Sequence, residues 1–235
     1  KKFKIISFLT PLTIALFSNS AVKESNPTGY LSYRTKVWQN TSRAGLPDFF
    51  LDEVTFEKYA DYALNFPLLF LYKSNEYNFP KEKTYKDLVK QEEANSENLE
   101  LHLSTIFTEL RLKKYIELRS LDACEWDCHC AGPAFFTGLL YGNLDETFEV
   151  IKDWSKDEIK NAYAESCKKG LTTEINRKDL LFWSIKLLQI SKKGLEKRFY
   201  LNENGKSETI FLKNIENILK NNLTKAEEYL NNFKK

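Results

Sequence analysis

The sequence contains no methionine and begins with Lys1. A chain read from its own start codon begins with methionine, so this one reads as a processed product or as part of something longer. An excess of one charge is also missing. Thirty-five Lys and Arg stand against thirty-three Asp and Glu, spread along the chain without a basic stripe, so no nucleic-acid partner is expected. No G-x-x-x-x-G-K-[ST] and no G-x-G-x-x-G occurs, so side-chain cations rather than a backbone loop must hold the phosphates of any nucleotide. There are only two histidines, His102 and His129, and each reads as a packed or hydrogen-bonded residue rather than a catalytic one. No repeat of fixed period is visible. The length suits one large domain or two small ones, with apolar content enough for a substantial core.

The longest apolar run, Ile5 to Phe17, is interrupted by Thr10 and Thr13 and is too short to span a bilayer comfortably, so no membrane partner is expected. Lys1, Lys2 and Lys4 before it and Ser18 to Ala21 after it give it the outline of a secretory signal. A signal sits at the true start of a chain, where methionine is expected. The favoured expectation is therefore an internal buried helix, kinked or restarted at Pro11.

The first part of the chain mixes loops, short strands and helices. Thr55 to Asn65 has helical spacing, ended by Pro67. Leu68 to Tyr72 reads as a buried strand followed by a weaker one near Tyr77 to Phe79. From Pro133 onward the chain reads as helical. Ser155 with Glu158 is a capping-box pattern, Gly170 marks a helix end, and Thr224 with Glu227 caps the last helix. This order predicts an α+β fold with a mainly antiparallel sheet rather than βαβ units. Sheet and site segments are expected over 1–130 and a helical part over 131–235.

The stretch from Leu110 to Arg119 alternates. Leu110, Leu112, Ile116 and Leu118 fall on one side, with Lys114 as the exception. Arg111, Lys113, Tyr115, Glu117 and Arg119 fall on the other. Such alternation predicts one strand with an apolar face and a charged face. From periodicity alone the charged face reads first as a solvated sheet face. A buried version needs compensating anions and cations, which a nucleotide–metal site supplies. Arg111, Lys113 and Arg119 are then the phosphate-binding cations, and Glu117 offers a carboxylate to Mg²⁺. Arg34 and Trp38, four residues apart, are placed to grip a carboxylate and stack beside it; a surface Arg lying over an aromatic ring is the plainer reading.

Cys124, Cys128 and Cys130 cluster, and Cys167 lies apart. C-x-x-x-C-x-C with no second pair is a poor zinc pattern. The plainer reading is a reduced thiol cluster near a helix N-terminus, with a Cys–His nucleophile less favoured because nothing supplies an orienting third group.

Taken together, TPLTIALFSNSAVKE, TGYLSYRTKVWQNTSRAGLP, FEKYADYALNFPLLFLY, HLSTIFTELRLKKYIELRSLDACEW and PAFFTGLLYGNLDETFEVIKDW resemble the C-terminal half of the class II glutamate–cysteine ligases, the plant and proteobacterial type. The order and spacing of the segments match, and the resemblance fades after about Leu180. It implies a glutamine-synthetase-like antiparallel sheet, here incomplete, forming a funnel for ATP and Mg²⁺. It also implies γ-glutamylcysteine synthesis, the first step of glutathione synthesis. ATP phosphorylates the γ-carboxylate of L-glutamate, and the L-cysteine amine displaces phosphate. By the resemblance, Glu117 matches a metal-binding carboxylate and Arg119 the arginine that neutralises the transferred phosphoryl group. Arg34 and Trp38 match a segment lining the amino-acid pocket, and Tyr62 a cysteine-side wall. Cys130 matches a cysteine that forms a redox-switch disulfide in some plant-type members.

The pattern departs from the plant type after the strand. Asp122 and Trp126 persist, but the glycines of R-G-A-D-G-G-P-W are replaced. The resemblance implies that the N-terminal half, with further metal-binding glutamates, lies outside this chain and that the chain alone is inactive. A cytoplasmic location is the matching expectation. The competing readings are an exported, non-enzymatic helical protein with a cysteine-stapled loop, and another carboxylate–amine ligase of the same fold.

Overall fold

The computed structural model describes residues 1–233. The chain forms two units, one of Lys1–Trp38 together with the chain from Ser120 onward, the other of Gln39–Arg119.

The first unit begins with helix α1 (Lys2–Leu16), in which every residue from Ile5 to Leu16 is buried. A helix apolar on all sides needs that surrounding. Its buried hydroxyls are satisfied within the helix: Ser7, Thr10 and Thr13 donate to the carbonyls of Phe3, Ile6 and Leu9 at 3.0, 3.1 and 2.9 Å. Such back-bonding lets polar residues sit in an apolar core. Of the two readings of this segment, the structure has the buried helix. Strands β1 (Val22–Lys23) and β2 (Asn26–Pro27) form a small antiparallel pair. Helix α2 (Tyr33–Gln39) follows.

The second unit pairs β3 (Ala44–Gly45) in parallel with β6 (Phe107–Thr108). Between them lie α3 (Phe56–Asn65), the hairpin β4 (Leu71–Lys73) and β5 (Glu76–Asn78), α4 (Tyr85–Lys90) and α5 (Ser96–Ser104). Each helix start has a side-chain cap. Thr55 accepts from the Lys58 amide, Thr84 and Asp87 form a reciprocal box, and Asn95 accepts from the Asn98 amide. Leu68, Tyr85 and Leu88 form a small core, joined by Leu64, Leu71 and Leu99. The unit ends in the antiparallel pair β7 (Leu110–Leu112) and β8 (Ile116–Leu118).

This pair changes the reading of that stretch. One strand was expected; the chain instead bends at 113–115, where the Lys113 amide donates to the Tyr115 carbonyl at 2.9 Å. Alternation survives because a tight hairpin keeps cross-strand partners on one face.

The first unit then resumes as helices α6 (Ala131–Thr137), α7 (Leu144–Ile151), α8 (Lys156–Lys169), α9 (Leu180–Arg198), α10 (Lys213–Asn221) and α11 (Lys225–Phe233), with the pair β9 (Glu174–Ile175) and β10 (Lys178–Asp179) before α9. Helix α1 packs on α7, α8 and α9. The Ser155–Glu158 box caps α8, Gly170 ends it at φ +56°, and Thr224 with Glu227 caps α11. The mixed α+β class holds. Among the described residues, however, the strands make five separate two-stranded ladders, four antiparallel and one parallel, rather than a broad antiparallel sheet. Turns close the four antiparallel pairs after two or three residues. Ser74–Asn75 and Asn176–Arg177, all at positive φ, make two of the bends. Among the described residues no helix is long and apolar enough to cross a membrane.

Candidate active site

Glu117 is the centre of the charged hairpin. It is paired across the ladder with Arg111. Arg111 donates from Nε to Oε2 at 2.9 Å and from Nη2 to Oε1 at 3.0 Å. Arg119, two residues on and therefore on the same face, donates from Nη1 to Oε1 at 3.0 Å. Burial raises the Glu117 pKa, but the two guanidinium groups outweigh it and hold the carboxyl below its ordinary range. The group is therefore an ionised, partly buried carboxylate clamped by two cations.

The rest of Arg111 faces inward. Its Nη1 donates to the carbonyls of Ser104 and Ile106, and only 7% of the residue is exposed. Its role here is to bind Glu117 to the end of α5. Arg119 lies over the Phe107 ring, 5.7 Å from the centroid. Its amide continues the ladder to the Glu109 carbonyl at 2.9 Å. Lys113 sits in the hairpin bend.

Tyr62 is half-buried on α3 in an aromatic cluster, with ring centroids 4.8 Å from Phe49 and 5.3 Å from Phe66. Burial pushes its phenol well above the ordinary range. One turn earlier on α3, buried Tyr59 accepts a hydrogen bond from the Leu112 amide at 2.9 Å through its hydroxyl. Tyr59 ties the aromatic cluster to the charged hairpin, and sequence reading passed over it. Its signal was its place on the Tyr62 face of α3, one turn away. The structure thus brings Arg111, Glu117 and Arg119 into one cluster and links Tyr62 to it through Tyr59. Arg34 and Trp38 belong to the other unit, on α2.

The cysteines do not form a reduced cluster. Cys124 and Cys128 are joined as a disulfide, Cys130 is an exposed thiol and Cys167 a buried one. Among the described residues no group of three or more His, Cys, Asp or Glu is arranged to hold a metal ion.

Residues 1–233 match Glutamate-cysteine ligase family 2 (GCS2). The chain belongs to this family. It is similar to glutamate–cysteine ligase B, chloroplastic, of Oryza sativa subsp. japonica, with 36% identity across 98% of the chain and 48% of the relative. The tomato (Solanum lycopersicum) chloroplastic glutamate–cysteine ligase is also 36% identical, over 98% of this chain and 45% of its own. The Arabidopsis thaliana enzyme is 34% identical over the same shares. The chain spans about half the length of the curated relatives it matches. The chloroplastic designation of these relatives overturns the cytoplasmic location expected from sequence.

Proposed function

We propose that this chain is the C-terminal half of a glutamate–cysteine ligase catalytic domain, of glutamine-synthetase-like fold, joining the γ-carboxylate of L-glutamate to the amine of L-cysteine at the expense of ATP. The observation that carries this reading is the Glu117 carboxylate held between Arg111 and Arg119, in a chain that belongs to the family. Mg²⁺ is bound by one or two carboxylates together with substrate phosphates. Glu117 is assigned as one such ligand because its side chain stays a quarter exposed although both oxygens accept from arginine, and the remaining carboxylates are assigned to the N-terminal half. Bound there, Mg²⁺ supplies charge neutralisation to the phosphates.

Arg119 faces the transferred phosphoryl group and Lys113 the remaining phosphates. Arg111, spent on Glu117 and two carbonyls, orients the carboxylate rather than touching ATP. Arg34 pairs with the glutamate carboxylate, Trp38 stacks beside it, and Tyr62 walls the cysteine side. Such a ligase works chiefly by positioning and charge neutralisation. A plastid is the proposed location, supported by the chloroplastic designation of the relatives.

The test uses the product of the complete reading frame that encodes this chain. ADP release that requires Mg²⁺, glutamate and cysteine together, with γ-glutamylcysteine as product, is the expected result. ADP release with glutamate and other amines but not with cysteine points to another carboxylate–amine ligase and overturns the reading.

A further inference from the structure

Asp122 is a buried carboxylate that no catalytic role has claimed. It is 8% exposed, and its two oxygens accept hydrogen bonds from three neighbouring groups. Its Oδ2 accepts from the Asn19 amide at 2.9 Å and from the Ser20 hydroxyl at 2.7 Å. Its Oδ1 accepts from the Ser32 hydroxyl at 2.9 Å. All of these groups lie within the first unit.

The two serines face the start of α2. The Tyr33 amide donates to the Ser20 carbonyl at 3.2 Å and the Arg34 amide to the Ser20 hydroxyl oxygen at 3.0 Å. The Thr35 amide donates to the Ser32 hydroxyl oxygen at 3.3 Å, and the Lys36 amide to the Ser32 carbonyl at 3.3 Å. The first amides of a helix have no partner inside it and must find one elsewhere. Here two residues, twelve apart in sequence, supply the partners of 33–36, while the Ser32 amide donates to the Cys167 carbonyl at 3.0 Å. Each serine hydroxyl has one proton. With that proton directed at Asp122, its oxygen lone pairs are left to receive the helix amides and, at Ser32, the proton of the Thr35 hydroxyl 2.8 Å away. The carboxylate thereby fixes the direction of both hydroxyls, and charge-assisted bonds of this kind are the stronger sort.

We infer that Asp122 is a positioning residue for amino-acid binding. Through Ser20 and Ser32 it sets the first turn of α2, and with it the Arg34 and Trp38 side chains. This rests on the role proposed above for Arg34 and Trp38, and assigns Asp122 a function in substrate affinity rather than in phosphoryl transfer.

Asp122→Asn in the complete ligase puts an amide where an acceptor oxygen is needed and misdirects one hydroxyl. The KM for glutamate is expected to rise about tenfold while the KM for ATP stays within about twofold, since a small displacement of a binding group acts on the ligand it touches. Amide hydrogen exchange at 33–36 is expected to quicken, with exchange in α10 unchanged. Should Asp122→Asn not fold, Ser32→Ala carries the same test, and Ser32→Thr, which keeps the hydroxyl, is expected to restore the wild-type KM. An equal rise in both KM values, or unchanged exchange at 33–36, overturns the inference. A wild-type enzyme that makes no γ-glutamylcysteine overturns instead the ligase reading, while the exchange result still judges the anchoring of α2.

Discussion

Arg111 and Glu117 face each other across a two-stranded ladder, joined by two parallel hydrogen bonds of 2.9 and 3.0 Å. The pair is bidentate, and the arginine end is nearly closed to water while a quarter of the Glu117 side chain is exposed. A carboxylate so held is ionised and oriented before any ligand arrives. Whatever faces the hairpin therefore meets a fixed negative group between two fixed positive ones.

The fork geometry is the first thing to test. Arg111→Lys keeps the charge but cannot make two parallel bonds and reach two carbonyls as well. It is expected to lower folding stability by about 1.5–3 kcal/mol, the usual worth of hydrogen bonds to a charged group. Chemical denaturation reads this directly. A midpoint equal to the wild type would show the clamp to be dispensable.

Within the complete ligase, Glu117→Gln is expected to lower turnover about a hundredfold, by loss of an oriented charge, and to weaken its dependence on Mg²⁺. Lys114→Gln, on an exposed bend residue, is expected to leave both unchanged. Steady-state rates across a Mg²⁺ series decide the matter. Equal mild effects from the two substitutions favour a merely solvated face.

His102 makes stability depend on pH. It is 1% exposed, stacks on Tyr85, and its Nε2–H donates to the Ala63 carbonyl at 2.7 Å. Burial lowers its pKa below 6.5, with the nearby Arg43 charge acting in the same direction and the Ala63 bond against it. Protonation would place a second N–H at Nδ1, a buried atom with no acceptor among the described residues. The folded state thus binds this proton less readily than the unfolded chain. The contribution is complete above the unfolded value of 6.5 and is lost as pH falls through the lower folded value. Denaturation midpoints are expected to drop from pH 8 toward pH 5, and His102→Gln is expected to flatten that part of the slope. A parallel decline in both proteins would assign the effect to other groups.

The packing of α9 rests on glycine. A Cβ built on Gly194 would lie 2.1 Å from the Gly138 carbonyl oxygen, a backbone atom. Gly194→Ala is expected to cost about 1–3 kcal/mol, as overpacking does. Gln189→Ala on the exposed side of the same helix is expected to stay within about 0.5 kcal/mol. Thermal or chemical unfolding of the pair of variants checks this, and a neutral Gly194→Ala would show that the helices can separate without loss.

Local chemistry was legible wherever the partners were neighbours in sequence. The helix of 2–16, the Ser155–Glu158 and Thr224–Glu227 caps and the stop at Gly170 follow from short-range hydrogen bonding and from the cost of exposing apolar surface. The charged face of 110–119 and its residues Arg111, Glu117 and Arg119 were legible too, because alternation places them on one side. Hidden from such a reading was the bend at 113–115. A strand and a tight hairpin share the same two-residue alternation, and only the ladder shows that Arg111 opposes Glu117.

The amino-acid sequence by itself determined the family, the α+β composition, the helix ends and the set of charged residues from which a site can be built. These depend on residue type and close spacing. Tertiary structure alone decided that the Arg111 guanidinium is spent on Glu117, that Tyr59 reaches the Leu112 amide, and that Asp122 gathers Ser20 and Ser32 from 102 and 90 residues away. A buried polar group must take its partner from whatever part of the chain is folded against it, and that choice has no period in the sequence.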